Sequence, residues 1–226
     1  MIGILGFYKE IDDLRYNSHL IYGLDRVVET VKDKKDQCMS SMYDPEITFE
    51  YAKSRVSEER LNELRNAGEN ADVEVATEDS NLFKFDNFSF SIVNDQIAKV
   101  FAGYRGGIGL SGRIWYPPGG YMGWHTNSNS VGYRLYCSHS EEEDSSFFRF
   151  LDPISNEVVT SWDKKGWNFR MFHVTKENSF WHCVYSETDR ISIGYNLNLG
   201  NFPSQASDDK IEESTLDSEE SPVEKP

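Results

Sequence analysis

Cysteine is scarce in this chain of 226 residues: Cys38, Cys137 and Cys183 are the whole complement. Three thiols without a CxxC pair argue against both a disulfide framework and a thiolate zinc site. Long apolar runs are missing as well, and no stretch approaches the roughly 20 apolar residues that a membrane-spanning helix needs. The opening MIGILGFY has no basic segment before it and is broken by Lys9, Glu10 and Asp12, which does not fit a secretory signal. Basic charge is short: 23 Lys and Arg face 38 Asp and Glu, for a net charge of −15. The expectation is a soluble cytoplasmic protein with no membrane partner. Nucleic acid is disfavoured because a phosphate backbone needs a basic footprint, and a local basic groove is not visible in the sequence.

Aromatic residues are abundant, at 14% with 14 Phe, 12 Tyr and 5 Trp, which favours sheet over a helix bundle. The chain divides into three stretches. Residues 1–80 read as an N-terminal strand and helical support region. A short apolar strand covers 1–8, and Leu20, Ile21, Leu24, Val27, Val28 and Val31 fall at helical spacings within 17–37. A compact helix over 57–68 has Ser57 as N-cap, Glu58 and Glu59 in the first turn and Gly68 at its end.

Residues 81–200 are rich in short aromatic and β-branched segments. FKFDNFSFSIV (83–93) alternates like a strand with one wet face. GLSGRIWY, GYRLYCSH, SFFRFLDP, VVTSWD, GWNFRMFHV, FWHCVYS and DRISIGYNL follow, separated by turn signals such as PPGG and DKKG. Many short strands at this spacing predict a sandwich or barrel. Residues 201–226 carry eight acidic residues against two lysines and read as an acidic, disordered tail.

Within the β-rich stretch, four elements carry chemistry: His125 after PPGG, His182 in FWHCVYS, Arg190-Ile191-Ser192, and the tyrosines Tyr116 and Tyr136 flanking the first histidine. Two imidazoles and one oxygen ligand with open positions suit a non-haem Fe(II) site. An arginine offers a planar fork for a carboxylate. Arg190 and Ser192, two residues apart, share one face of a strand.

The order Y116-PPGG, H125-T-N127, G132-YRLY-136, W181-H182-C-V and R190-I-S192 resembles the iron- and 2-oxoglutarate-dependent dioxygenases, particularly their prolyl-4-hydroxylase-like branch. The resemblance spans roughly 83–199. It implies a mainly β fold with flanking helices: a double-stranded β-helix (jelly-roll, cupin-like) core with N-terminal helices packed on it. It also implies Fe(II), 2-oxoglutarate as cosubstrate, O₂, ascorbate as a supporting reductant, and hydroxylation of a protein side chain or small molecule. His125 and His182 would ligate iron. Arg190, helped by Ser192 and by Tyr116 and Tyr136, would hold the far carboxylate of 2-oxoglutarate.

The departure is Asn127, where the family places a carboxylate. The amide can ligate through its oxygen, orient a water into that position, or mark a site that has lost its metal. The last case gives the alternative function, a non-catalytic jelly roll that binds or senses a ligand. A cupin-like interaction module is a further rival. Arg134 stays open between ligand binding and a strand-edge ion pair. His19, His139 and His173 are expected to be structural.

Overall fold

The computed structural model describes residues 6–33, 42–67, 79–85, 90–102, 107–127, 131–175 and 180–198. Two antiparallel sheets face each other. Nine strands matter for the core: β1 Tyr8–Glu10, β4 Ile108–Tyr116, β5 Tyr121–His125, β6 Gly132–Ser140, β7 Ser146–Leu151, β8 Val158–Trp162, β9 Gly166–Val174, β10 His182–Ser186 and β11 Arg190–Leu197. Two short strands, β2 Ser80–Asn81 and β3 Phe83–Lys84, extend the edges. One sheet runs β1-β9-β6-β11-β4-β3 and the other β2-β5-β10-β7-β8. From β4 onward, consecutive strands alternate between the sheets, except that β7 and β8 form a hairpin within one sheet, and the expected jelly roll is the observed fold.

Period-two alternation assigns each strand's two faces. On β11, Ile191, Ile193, Tyr195 and Leu197 enter an outer core, leaving Arg190, Ser192, Gly194 and Asn196 on the face between the sheets. On β6, Leu135 and Cys137 join the same outer core, and Arg134, Tyr136, Ser138 and Ser140 face inward. That outer core is closed by helix α1 (Ser18–Asp33), whose Leu20, Leu24, Val27, Val28 and Val31 form one buried stripe. Burying each such side chain stabilises the fold by about 1.5–3 kcal/mol.

Helices α2 (Phe49–Arg55) and α3 (Glu58–Asn66) cover the outside of the other sheet, where Ala52, Val56, Leu61 and Leu64 meet Trp124, Cys183 and Tyr185. Ser57 caps α3 as expected, its hydroxyl accepting from the Arg60 N–H at 3.2 Å. Between the sheets lies a third cluster of Tyr116, Met122, Phe148, Phe150, Phe172, Phe180 and Val184.

One expectation fails. Of the strand predicted over 83–93, residues 83–84 form β3, residues 86–89 lie outside the described residues, and Ser91–Val100 forms a fourth helix, α4, instead. The alternation of FSFSIV is real, but Val93 and Ile97 sit one helical turn apart and are buried on the α1 side. Gly23 makes the close approach possible: a Cβ there would lie 2.9 Å from Ile92 Cγ2 and 3.2 Å from Val93 Cγ2. At the N-terminus the strand begins at Tyr8 rather than running 1–8, and residues 1–5, Gly68 and the tail 201–226 lie outside the described residues. Among the described residues no helix is long and apolar enough to cross a membrane.

Candidate metal and oxoacid site

The PPGG turn between β4 and β5 sets up the site. Gly120 N–H donates to Pro117 O at 2.7 Å, and Gly119 adopts φ +79°, a conformation that glycine tolerates best. The turn is tied to β10 by Gly119 N–H to Ser186 O, 2.9 Å. Further along β5, Gly123 lies against Asp79, where any Cβ would come within 2.5 Å of a carboxylate oxygen. That contact fixes β5 just before His125.

His125 ends β5 and His182 begins β10, and the two are ladder partners. Their ring centroids are 4.1 Å apart, and both side chains are buried. His125 Nδ1 lies 2.9 Å from Gly123 O and His182 Nδ1 lies 2.8 Å from Phe180 O. A carbonyl can only accept, so each Nδ1 carries the proton and each Nε2 keeps its lone pair, that of His182 facing Asn127 Nδ2 at 3.4 Å. Burial lowers the pKa of His125, and burial together with the His125 charge lowers that of His182 well below the ordinary value. Two neutral imidazoles with fixed tautomers are the form a metal ligand takes.

Asn127 stands two residues beyond β5, its Nδ2 3.4 Å from His182 Nε2. Among the described residues no group of three or more His, Cys, Asp or Glu side chains could hold a metal. To act as a third ligand beside the two histidine nitrogens, the Asn127 carboxamide would have to present Oδ1 where Nδ2 now lies. Asn127 also hydrogen-bonds to the Tyr136 hydroxyl. Burial raises the pKa of Tyr136 and Tyr116 alike, so both phenols keep their protons at neutral pH and can donate.

His125, Asn127, His182, Tyr116, Tyr136 and Ser192 all line one cavity of about 430 Å³ between the sheets. That volume lies in the usual range for a small-molecule site. Arg190 does not line it. Its guanidinium lies at the far end of the inter-sheet space, with Nε 2.7 Å from Asp163 Oδ2, Nη2 2.9 Å from Ser138 Oγ, and Cζ 5.3 Å from the Tyr116 ring centre. Asp163 also accepts from Arg170 Nη1 at 2.5 Å and from Ser146 Oγ. Burial pushes the Asp163 carboxyl up, but the Arg190 and Arg170 guanidiniums outweigh it and hold the pKa well below the carboxylate range.

This cluster sets two guanidiniums against one buried carboxylate, and Arg190 Nη1 is buried without a partner. An orphaned donor beside Tyr116 and Ser138 fits the far carboxylate of an oxoacid. The residues present therefore offer what both implied groups would need: two histidine nitrogens for a metal and an unsatisfied guanidinium N–H for an anion, the latter closed off from the cavity as the side chains stand.

Sequence reasoning missed Asp163, which reads locally as part of a DKKG turn. Its partners lie 7 and 27 residues away, so no local pattern announces it. Arg134, left open, is buried and lines the cavity, and the exposed Lys84 also reaches its lining. His19 is exposed, His139 approaches Glu141 at 3.8 Å and His173 stacks on Tyr133. None of the three lines the cavity.

No protein family's sequence profile matches the chain, and no curated protein does. Solved structures do. An oxidoreductase of the 2OG-Fe(II) oxygenase family from Burkholderia pseudomallei is similar at a TM-score of 0.36 and 12% identity, over 53% of this chain. The match spans 61% of that protein's length. A prolyl-4-hydroxylase from Pseudomonas putida is similar at a TM-score of 0.41 and 13% identity, over 67% of this chain and 88% of that one. Neither likeness assigns a role to any residue of this chain.

Proposed function

We propose that this protein is an Fe(II)- and 2-oxoglutarate-dependent oxygenase that hydroxylates a small molecule or a protein side chain. The observation that carries the reading is the pair of buried histidines, His125 and His182, with both Nδ1 atoms tied to backbone carbonyls and both rings lining one cavity. His125, His182 and the Asn127 oxygen would hold the iron. Arg190 Nη1, with Ser192 and the Tyr116 and Tyr136 hydroxyls, would hold the far carboxylate of 2-oxoglutarate.

Bound Fe(II) supplies the redox chemistry that couples decarboxylation of 2-oxoglutarate to insertion of oxygen into a C–H bond. In the overall reaction 2-oxoglutarate, O₂ and R–H give succinate, CO₂ and R–OH. One oxygen atom ends in succinate and the other in the hydroxyl. The chain's own part is to bind and orient. The phenols stay protonated and donate to the oxoacid, and the aromatic wall of Phe148, Phe172 and Phe180 keeps water from the inner side of His182.

Anaerobic titration with Co(II), followed by visible absorption, tests the metal site. We expect one site per chain in the wild type and none in His182→Ala. Succinate release with Fe(II), ascorbate and 2-oxoglutarate then tests turnover. The amide at Asn127 favours a second reading, a jelly roll that binds metal and oxoacid without turnover. It predicts Co(II) and 2-oxoglutarate binding with no succinate above a protein-free control.

A further inference from the structure

β5 departs from strand alternation just before His125. On β10 the side chains alternate as a strand requires: His182 and Val184 line the cavity, while Cys183 and Tyr185 face the outer cluster under α2 and α3. On β5, Met122 lines the cavity and Tyr121 faces that outer cluster, so plain alternation would send Trp124 inward and His125 outward. The reverse is observed. Trp124 belongs to the outer cluster, its Nε1 donating to Ser57 O at 2.7 Å, and His125 lines the cavity. His182 pairs with His125 and Val184 with Met122, so β5 advances three residues where β10 advances two. The extra residue is a β-bulge at Gly123–Trp124, and a bulge re-aims the side chain that follows it.

Gly123 holds the bulge with both of its backbone groups. Its N–H donates to Asp79 O at 2.8 Å, and its carbonyl oxygen lies 2.9 Å from His125 Nδ1. Asp79 directly precedes β2, which pairs with β5 through Ser80–Met122 and Asn81–Tyr121. The Asp79 carboxylate covers Gly123: an added Cβ would lie 2.5 Å from Oδ2 and 2.6 Å from Cγ. The other carboxylate oxygen, Oδ1, accepts from Arg55 Nε at 2.6 Å, at the end of α2. A chain of contacts thus runs from α2 through Arg55, Asp79 and Gly123 to the His125 imidazole.

We propose that Asp79 and Gly123 are the positioning pair for His125. The carboxylate, steered by Arg55, fills the space over Gly123 Cα and keeps the bulge in the form that turns the His125 ring into the cavity. Neither residue lines the cavity, so both act through the Gly123 carbonyl, which holds the proton on His125 Nδ1. The proposal rests on the oxygenase reading only in taking His125 as a metal ligand.

Exchanging the two side chains in the full chain tests it. Gly123→Ala drives a methyl group against the carboxylate, and Asp79→Ala empties the space that the carboxylate fills. Each is expected to weaken Co(II) binding by roughly 10-fold or more, as loss of a group that orients a metal ligand does, and to change the visible absorption of bound Co(II). The double variant lets the new methyl take the vacated space and is expected to return to within roughly threefold of wild type. Asp79→Asn keeps the shape and is expected to keep most of the affinity. Long-range proton–nitrogen NMR correlations read the His125 ring in the metal-free proteins. A pure Nδ1–H tautomer is expected in the wild type and the double variant, and a mixture in each single variant. Circular dichroism checks folding, and where Gly123→Ala misfolds, Asp79→Ala carries the test with Asp79→Asn as its conservative rescue.

Wild-type Co(II) affinity and absorption in either folded single variant overturns the proposal. So does a double variant that binds no better than the weaker single one, or an Asp79→Asn variant no better than Asp79→Ala. If the wild type takes up no Co(II), the oxygenase reading fails, and the His125 tautomer of the metal-free proteins still decides the positioning pair. An unchanged tautomer in the single variants overturns the pair, and a mixture that the double variant removes upholds it.

Discussion

At the scale of single residues, the proposed oxygenase reading turns on Asn127. An amide oxygen is a neutral donor, whereas a carboxylate would offset part of the metal's charge and bind the hard cation more tightly. The two histidines are already oriented by their Nδ1 contacts, so on the proposed reading a substitution at 127 would change the third ligand without disturbing the other two. Asn127→Asp is therefore expected to raise Co(II) affinity by roughly 10-fold, about 1.4 kcal/mol. Competition titration against a chromophoric chelator measures it. Unchanged affinity would mean that the 127 side chain stays outside the metal's coordination sphere. The identity of this residue was legible in the sequence, but its present posture was not. The Nδ2 contact at 3.4 Å to His182 depends on β5 and β10 being neighbours, which residues 55 positions apart do not announce.

At the scale of elements, the ion cluster joins three strands of one sheet to the end of β8 in the other. Asp163 follows β8, Arg170 lies on β9, Arg190 begins β11, and Ser138 of β6 completes the set. Removing the one carboxylate leaves two buried guanidiniums facing each other, so Asp163→Ala is expected to destabilise the fold by about 3–5 kcal/mol, measured by urea unfolding. The pH dependence follows from the depressed Asp163 pKa. A folded-state pKa below the unfolded one gives stabilisation that is complete above the unfolded value of about 3.9 and fades as pH falls below it. The stability gap between wild type and Asp163→Asn is thus expected to hold from pH 7 to 5 and to narrow below about pH 4.

The α1–α4 contact makes a separate prediction. Gly23→Val would drive methyl groups into Ile92 and Val93, costing about 1–3 kcal/mol of stability and leaving Co(II) binding intact. Strands β6 to β11 could be read from sequence because alternation and turn residues agree there. Helix α4 could not, because SFSIV alternates while its burial is decided by α1, more than sixty residues upstream.

At the scale of the whole molecule, charge works at two ranges with opposite signs. Acidic composition is visible in the sequence, whereas the basic cavity is not. Lys84, Arg113 and Arg134 come from β3, β4 and β6, three separated strands that meet only in the folded sheet. An approaching dianion such as 2-oxoglutarate therefore meets a repelling far field before it reaches the attracting cavity. Salt separates the two contributions, since the screening length is about 30 Å at 0.01 M ionic strength and about 8 Å at 0.15 M. Raising salt removes the far-field repulsion first and leaves the short-range, partly buried cations largely effective. The association rate constant of 2-oxoglutarate with Mn(II)-loaded protein is accordingly expected to rise between 0.01 and 0.15 M salt, as followed by stopped-flow fluorescence. Residues 201–226 carry a net −6 of the total −15, so a chain lacking them should show a shallower rise. A rate that falls with salt in both proteins would mean that the cavity's own cations, rather than the acidic surface, govern the approach of the anion.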